Sequence, residues 1–249
     1  MNKKIGIIGG SGLGKLNLFS NTKDIIVKTS YGAPSAPLLS GIINGKEVLI
    51  LARHGREHTI PPSMVNYRAN IMALKEAGCT HIFATTACGS MKEEIKMGDF
   101  VVLDQFIDFT KRRINTFFDS FEPGIAKHEP MADPFDAHLR SVLISACEKS
   151  GVSFHKSGTV ITIEGPRFST RAESKMFRMW GADVINMTIA TEAALAKEAQ
   201  IPYAAVALST DYDCWKDDEE HVSWEKVFEN FNKSLPLMTQ ILLNAIDIF

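Results

Sequence analysis

Two carboxylates and three hydroxyl side chains occupy five consecutive positions, from Ser209 to Asp213. They directly follow residues 204–208, an apolar run typical of a strand that is buried on both faces. Ligands of open α/β sheets bind just beyond the carboxyl ends of the strands. Asp211 and Asp213 are therefore the first candidates for proton transfer or for hydrogen bonding to a polar ligand.

Four other apolar runs end in polar side chains of a different kind. These side chains are hydroxyls, an arginine and a histidine, which suit an oxyanion such as phosphate because they donate hydrogen bonds to it. The carboxyl ends of parallel strands lie along one edge of a sheet, so the sequence predicts that these residues converge on one anion site. They are Ser11, Arg53, His54, Thr86 and Thr188.

Common nucleotide and metal motifs do not fit the chain. The glycine-rich segment 9–14 matches neither the P-loop nor the dinucleotide fingerprint, which would need glycine where Lys15 or Asn17 stands. A small-anion turn around Ser11 and a plain connection from strand to loop both remain open there. His54 and His58 have neither HExxH spacing nor a carboxylate partner pattern, so we expect no metal site.

The two aspartates add a second kind of chemistry to the predicted anion site. A protonated carboxyl group can donate to a ring nitrogen, and a carboxylate can accept from an exocyclic amine, as recognition of a nucleobase edge requires. Met187 and Phe168 supply apolar faces for a sugar and a ring. Taken together, the residues favour a site for phosphate and a nucleobase.

Length and composition limit the classes of protein to which the chain can belong. At 249 residues it lies within the range of one α/β domain, so we predict a single domain over residues 1–249. A formal net charge of −2 argues against nucleic acid as a partner, and no apolar run approaches the ~20 residues of a membrane span. The N-terminal segment lacks a signal-peptide pattern, and the four cysteines lack CxxC spacing. These features predict a cytoplasmic protein.

Strands and helices alternate along the chain, which predicts an α/β fold with a mainly parallel or mixed sheet. Asn44-Gly45 predicts a hairpin turn, residues 85–90 a hydroxyl-rich turn, and residues 108–130 a long functional loop. The predicted strands cover residues 4–8, 42–43, 48–51, 82–86, 100–103, 159–163, 182–186 and 204–208. The predicted helices cover residues 61–78, 133–151, 169–180, 188–200 and 223–249.

Several segments in collinear order resemble the trimeric branch of the purine nucleoside phosphorylase family, in particular its members that cleave S-methyl-5′-thioadenosine. The resemblance covers nearly the whole chain, and TIEGPRFSTRAES (residues 162–174) is long enough to be highly specific. The other segments are GGSG (9–12), ARHGREH (52–58), VNY (65–67), TTACGS (85–90), WGADVINMT (180–188) and STDYDCW (209–215). The resemblance implies a three-layer α/β domain with a central mixed β-sheet flanked by helices.

The resemblance also implies an activity, which is phosphorolysis of S-methyl-5′-thioadenosine to adenine and 5-methylthioribose 1-phosphate. The implied partners are a small-molecule nucleoside and phosphate, with phosphate as co-substrate and with no metal or organic cofactor. The implied assembly is a homotrimer in which His128 reaches the site of the neighbouring subunit.

The resemblance assigns roles to residues of this chain. Asp211 and Asp213 would read N7 and the 6-amino group of the base, with a protonated Asp211 as proton donor. Trp224 and Val227 would lie near the 5′-methylthio group, where a tight apolar pocket and plain core packing both remain open for Trp224. The other implied contacts are Met187 to the ribose, Phe168 and Ser169 to the base, and Ser11, Arg53, His54, Thr86, Ala87 and Thr188 to phosphate.

Three other functions remain open at this point. The first is a purine nucleoside phosphorylase with broader or 6-oxopurine preference, such as for 5′-methylthioinosine, although the carboxylate of Asp211 would repel a 6-oxo group. The second is a hydrolytic nucleosidase, which would not need the anion set around Arg53. The third is a non-catalytic nucleoside- or anion-binding module, which would bind its ligand without turnover.

Overall fold

A computed structural model of the chain describes residues 4–10, 20–216 and 222–249. Eleven strands in these ranges form one mixed sheet, and five α-helices accompany it. The predicted α/β class with a central mixed sheet is confirmed. The predicted anion ligand Ser11 lies outside the described residues.

The strands are β1 (Lys4–Gly9), β2 (Ser20–Ile25), β3 (Leu38–Ile43), β4 (Lys46–Ala52), β5 (His81–Ser90), β6 (Phe100–Val102), β7 (Gln105–Phe109), β8 (Phe154–His155), β9 (Thr159–Ile163), β10 (Val184–Asn186) and β11 (Tyr203–Asp211). Hydrogen-bonded neighbours follow the order β2-β3-β4-β1-β5-β10-β9-β7 across the sheet. In addition, β11 pairs with β5 and β6, and β6 pairs with β8. The helices are α1 (Tyr67–Glu76), α2 (Ala137–Ser150), α3 (Arg171–Met179), α4 (Ile189–Glu198) and α5 (Trp224–Ile248).

Strand β5 lies at the centre of the sheet and is longer than the sequence predicts. It pairs in parallel with β1 and with β11, and its last two residues pair antiparallel with β10. The prediction of a turn over residues 85–90 is wrong, because these small residues continue the strand to Ser90. Strand β11 likewise extends beyond residue 208 and reaches Asp211, with an irregularity in its pairing between Ser209 and Asp211.

Side-chain alternation along the strands produces a three-layer arrangement. Ile5 and Ile7 of β1 pack in one hydrophobic cluster together with residues of α2 and α5, whereas Ile8 packs in another with residues of α1 and α4. This is the two-residue period of a strand that is buried on both faces. Burial of each large aliphatic side chain contributes roughly 1.5–3 kcal/mol to folding. No helix in the described ranges has the length and apolar character needed to cross a bilayer.

Two helix starts differ from the predictions. The segment that begins at Pro61 forms only a 3₁₀ turn, Pro62–Met64, and extended backbone at Val65 separates it from α1, which Asn66 caps. Helix α2 is capped by Asp136 rather than Asp133, since the Asp136 carboxylate accepts a hydrogen bond from the amide of the third helical residue.

Helix α3 begins at Arg171, two residues later than predicted. Thr170, not Ser169, is its N-cap, and Thr170 and Glu173 form a reciprocal capping box. The predicted β3–β4 hairpin is present, with positive φ at both Asn44 and Gly45, as a type I′ turn requires.

Candidate active site

A cavity of about 680 Å³ lies where β4, β5, β10 and β11 end. Each of these strands delivers polar residues to it, since Arg53 and His54 directly follow β4 and Thr188 follows β10. The predicted site residues on its wall are Arg53, His54, Thr86, Ala87, Phe168, Met187, Thr188, Asp211, Asp213, Trp224 and Val227. Gly10, which directly precedes Ser11, also borders this cavity.

One end of the cavity offers hydrogen-bond donors for an anion. Thr188 Oγ1 is buried and has no hydrogen-bond partner in the described part of the chain, and Thr188 directly precedes α4. The first amides of a helix carry partial positive charge, so this position favours an anionic ligand. Thr86 lies close by, because Asn186 Nδ2 donates to its hydroxyl at 3.3 Å. A buried hydroxyl without a partner costs free energy unless a ligand binds it.

Arg53 is buried, and most of its N–H groups donate to other groups of the protein rather than into the cavity. Its Nη2 donates to Glu192 Oε2 at 2.9 Å, its Nε donates to the other oxygen of the same carboxylate, and its Nη1 donates to the carbonyl of Thr85 at 3.0 Å. Burial alone would lower the pKa of Arg53, but the Glu192 carboxylate keeps that pKa above its ordinary value. The predicted arginine fork therefore pairs with Glu192, and only the remaining N–H groups are left for an anion.

Glu192 was not predicted from the sequence. It is fully buried in α4, and Tyr203 at the start of β11 donates its hydroxyl to Oε2 at 2.9 Å. Glu192 lies in the first turn of α4, where an acidic residue is ordinarily solvated, so neither its type nor its position predicted a buried carboxylate. The buried pair of Arg53 and Glu192 has no net charge, so it adds little electrostatic attraction for an anion in the cavity.

His54 is held in one tautomer by the backbone. Its Nδ1 lies 2.9 Å from the carbonyl oxygen of Ile60, and because a carbonyl only accepts, Nδ1 carries the hydrogen. Burial and, to a smaller extent, the adjacent Arg53 lower the pKa of His54 to about 3. His58 stacks on the same ring at 4.6 Å between centroids. Among the described residues, no three His, Cys, Asp or Glu side chains form a group that could hold a metal ion.

Asp211 at the end of β11 has the environment of a protonated carboxyl group. Thr210 Oγ1 lies 2.8 Å from Asp211 Oδ2 and 3.1 Å from the carbonyl oxygen of Cys88. The Thr210 hydroxyl donates to Oδ2, which by itself favours the ionised carboxylate, but burial outweighs this contact. Burial, with a smaller contribution from the nearby Asp213, raises the pKa of Asp211 to about 6.

Asp213 is fixed as an acceptor on the same wall. Ser169 Oγ lies 2.7 Å from both of its carboxylate oxygens, and its own amide donates to Asp211 Oδ1 at 2.8 Å. Its φ of +50° is in the left-handed region, which aspartate tolerates better than most residues. Gly89 makes room for the pair, because a Cβ there would lie 2.7 Å from Asp211 Oδ1. Ser169 thus contributes to the cavity wall by holding the Asp213 carboxylate in place.

Aromatic side chains form the opposite wall of the cavity. Trp224 at the start of α5 contacts His58 at 4.9 Å and Phe228 at 5.7 Å between ring centroids. Trp224 remains 47% exposed and borders the cavity, so plain core packing, the alternative left open by the sequence, does not describe it. Val227 lies one helical turn along the same wall. This part of the cavity suits an apolar substituent.

The long segment after β7 contributes Arg113, which the sequence analysis did not single out. Arg113 donates to Glu164 Oε1 at 3.1 Å and to the Tyr67 hydroxyl at 3.0 Å, so it joins this segment to α1 and to the connection after β9. Phe168 and Met187 lie on the cavity wall. The Tyr67 hydroxyl, which Arg113 contacts, also lies 3.5 Å from the carbonyl oxygen of Met187, so the segment is linked to the wall through Tyr67.

His128 does not lie at this cavity. It borders a second one of about 700 Å³, together with Tyr31, Phe117 and Glu198. His128 is exposed, and its ring lies 5.6 Å from that of the exposed Phe121. Of the predicted site residues, His128 is thus placed elsewhere within this subunit, and Ser11 is not described.

Comparison with known proteins identifies relatives along nearly the whole chain. A family model described as "Phosphorylase superfamily" matches residues 4–247. The S-methyl-5′-thioadenosine phosphorylases of Xenopus tropicalis and Danio rerio are 54% and 52% identical, over 98% of this chain and 88% of each of those proteins. Methylthioadenosine phosphorylase from Schistosoma mansoni in complex with adenine superimposes with a TM-score of 0.94 at 44% identity, covering 99% of this chain and 92% of that one. A mutant of the Schistosoma mansoni enzyme in complex with methylthioadenosine gives a TM-score of 0.93 at 43% identity, covering 99% of this chain and 91% of that one.

Proposed function

The chain belongs to the phosphorylase superfamily, and we propose that it catalyses the phosphorolysis of S-methyl-5′-thioadenosine to adenine and 5-methylthioribose 1-phosphate. The proposal rests mainly on one observation, which is that two different kinds of polar group line the same cavity. Its wall combines the unpartnered hydroxyl of Thr188, which suits an anion, with Asp211, whose surroundings suit a protonated carboxyl group. These are the two groups that phosphorolysis of a purine nucleoside needs.

Phosphate would bind between Thr188, Thr86 and the start of α4, with Arg53, His54 and the amide of Ala87 around it. Ser11 completes this proposed set. Breaking the N-glycosidic bond builds positive charge on the sugar and negative charge on the departing purine. A phosphate oxygen then forms a bond to C1′ as the bond from C1′ to the base breaks. The pre-placed anion stabilises the sugar cation in the transition state.

Asp211 supplies the proton that makes adenine a good leaving group. Its protonated carboxyl donates to N7, and its pKa near 6 brings the acid close to the working pH. Asp213, held by Ser169, accepts from the 6-amino group. The pair therefore favours a 6-aminopurine over a 6-oxopurine, since a carboxylate repels a carbonyl oxygen. Phe168 borders the base, and Met187 would lie under the ribose.

The 5′-methylthio group would bind against the aromatic wall of Trp224 and Phe228, with Val227 beside them. These side chains offer apolar surface and no hydrogen-bond partner for a 5′-hydroxyl apart from the indole N–H. The 5′ side of the cavity thus supports preference for the thioether over adenosine.

The proposed assembly is a cytoplasmic homotrimer in which His128 completes the neighbouring site. The segment that carries His128 exposes Ile114, Phe121 and Ile125, which supports a protein–protein contact there. All four cysteines are free, as in a reducing compartment. A complementation experiment tests the shared site, in which inactive His128→Ala and Asp211→Asn chains are mixed and reassembled. Recovered activity supports the proposal, and its absence in verified mixed trimers contradicts it.

The decisive experiment measures adenine release from S-methyl-5′-thioadenosine with and without inorganic phosphate. 5′-Methylthioinosine, adenosine and inosine are run in parallel. Release that depends on phosphate and is confined to 6-aminopurines is the expected result. Release without phosphate would identify a nucleosidase, faster turnover of the 6-oxo substrates would identify the other phosphorylase class, and binding without turnover would identify a binding module.

A further inference from the structure

His54 lies at the end of the cavity near Thr188 and Thr86, which we call the anion end. In the tautomer that the structure shows, His54 has no N–H left to donate to an occupant of the cavity. Nδ1 of His54 donates its hydrogen to the carbonyl oxygen of Ile60, at 2.9 Å. Nε2 is then a bare acceptor, and it has no hydrogen-bond partner among the described residues. Because His54 borders the cavity, Nε2 is the ring nitrogen left for an occupant of that cavity. An acceptor beside an anion is unfavourable unless a proton lies between them.

The surroundings of His54 oppose a positive charge on the ring. Arg53 precedes it, His58 stacks on it, and Arg113 reaches toward it from the segment after β7. Burial and these three groups lower the pKa of His54 to about 3, burial having the largest effect. Glu57, Asp211 and Asp213 are the carboxyl groups on the wall of the same cavity. The unliganded site therefore holds a neutral imidazole across the neutral pH range.

We propose that the site binds a tetrahedral oxyanion together with one proton, which is shared between His54 Nε2 and an oxygen of the anion. This inference rests on the proposed function and adds the form of the co-substrate. Hydrogen phosphate, HPO₄²⁻, brings that proton as its own O–H and donates it to Nε2. Sulfate has no proton at neutral pH, so it binds only when His54 takes one from solvent. His54 thus discriminates between anions of the same shape and charge by their protonation.

This assignment gives the two anions different dependences on pH. Between about pH 8 and about pH 9, inorganic phosphate is mainly HPO₄²⁻, and its dissociation constant should be nearly constant. Over the same range, the dissociation constant of sulfate should rise about tenfold, because one proton is taken up with each sulfate. Calorimetric titration in two buffers with different ionisation enthalpies measures the uptake directly, near zero for phosphate and near one for sulfate.

Two variants locate the proton. His54→Gln places an amide N–H near the position of Nε2, so sulfate should bind without proton uptake and without the tenfold change. His58→Gln is the matched control, because it changes the stacked neighbour and leaves the Nδ1 contact of His54 in place. The uptake of one proton with sulfate should persist in that variant.

Sulfate binding to the unsubstituted enzyme without proton uptake would overturn the proposal, as would uptake that persists in His54→Gln, since the proton would then reside on another group such as Glu57. If His54→Gln does not fold, the comparison of phosphate and sulfate in the unsubstituted enzyme decides. Turnover that proceeds without phosphate, with no binding of either anion, is the separate result that would refute the proposed function and this inference with it.

Discussion

Replacing Asp211 with asparagine should inactivate the enzyme and stabilise it at the same time. Both effects come from the burial of one carboxyl group. Asparagine keeps the shape and the contacts, since its Nδ2 can donate to Thr210 Oγ1 while its Oδ1 accepts from the amide of Asp213. It cannot ionise, and it cannot give a proton to N7.

The magnitude of the stabilisation follows from the pKa. In the folded protein the pKa of Asp211 is raised from 3.8 to about 6, which corresponds to at most about 3 kcal/mol of lost stability once the group is ionised. The raised pKa means that folding disfavours the ionised carboxylate. The loss of stability is therefore absent below about pH 4 and complete above about pH 6. The variant should therefore gain up to about 3 kcal/mol at pH 8, on the order of 5–10 °C in melting temperature.

Thermal unfolding at several pH values and steady-state kinetics test both effects. Turnover of methylthioadenosine should fall by about 10²–10⁴ in the variant, the usual contribution of a general acid. In the unsubstituted enzyme, kcat/KM at saturating phosphate should fall as the pH rises above about 6. Asp247→Asn, an exposed carboxylate on α5, is the matched control and should change neither property. Equal melting temperatures of Asp211→Asn and the unsubstituted enzyme at pH 8, or turnover that the substitution does not reduce, would refute the reasoning.

Three further substitutions, one of them with a matched control, test the surroundings of the site. Glu192→Gln leaves Arg53 buried without its partner and should cost about 3–5 kcal/mol of stability. Saturating phosphate should restore more of its melting temperature than it adds to the unsubstituted enzyme, and equal shifts would contradict this. Gly89→Ala should lower kcat at least tenfold in folded enzyme, whereas Gly158→Ala, whose Cβ would meet Val101 at 2.5 Å, should lower stability but not kcat. Trp224→Ala should raise KM for methylthioadenosine by roughly 5- to 100-fold, with little change for adenosine, as measured by initial rates.

The strand-end residues could be located from the sequence because each directly follows an apolar run. Arg53, Thr188 and Asp211 are of this kind, and the common edge of a sheet brings such positions to one cavity. The turn predicted at residues 85–90 shows where local patterns mislead. Its small and hydroxyl residues look like a loop, but β11 and β10 supply hydrogen-bond partners that lie far along the chain.

The contacts among the site residues could not be predicted in this way. Glu192 lies 139 positions from Arg53, in a helix where the sequence pattern gives no reason to expect a buried carboxylate. Ser169 donates to Asp213, 44 positions along the chain, whereas the adjacent Thr170 caps α3 in a capping box with Glu173. Such choices depend on tertiary partners rather than on local propensity.

In the proposed reaction, the charges of Arg53, Glu192 and His54 at the anion end affect how phosphate takes part. Arg53 is neutralised by Glu192, and His54 is neutral, so hydroxyls and the start of α4 provide most of the attraction for the anion. A free arginine would bind phosphate more tightly, but it would do so before the reaction as well as during it, and such uniform binding does not raise kcat. Phosphate held mainly by neutral donors keeps its negative charge available to the sugar cation, which exists only near the transition state. In the proposed reaction, pairing Arg53 with Glu192 would therefore leave the charge of phosphate available to the bond that breaks.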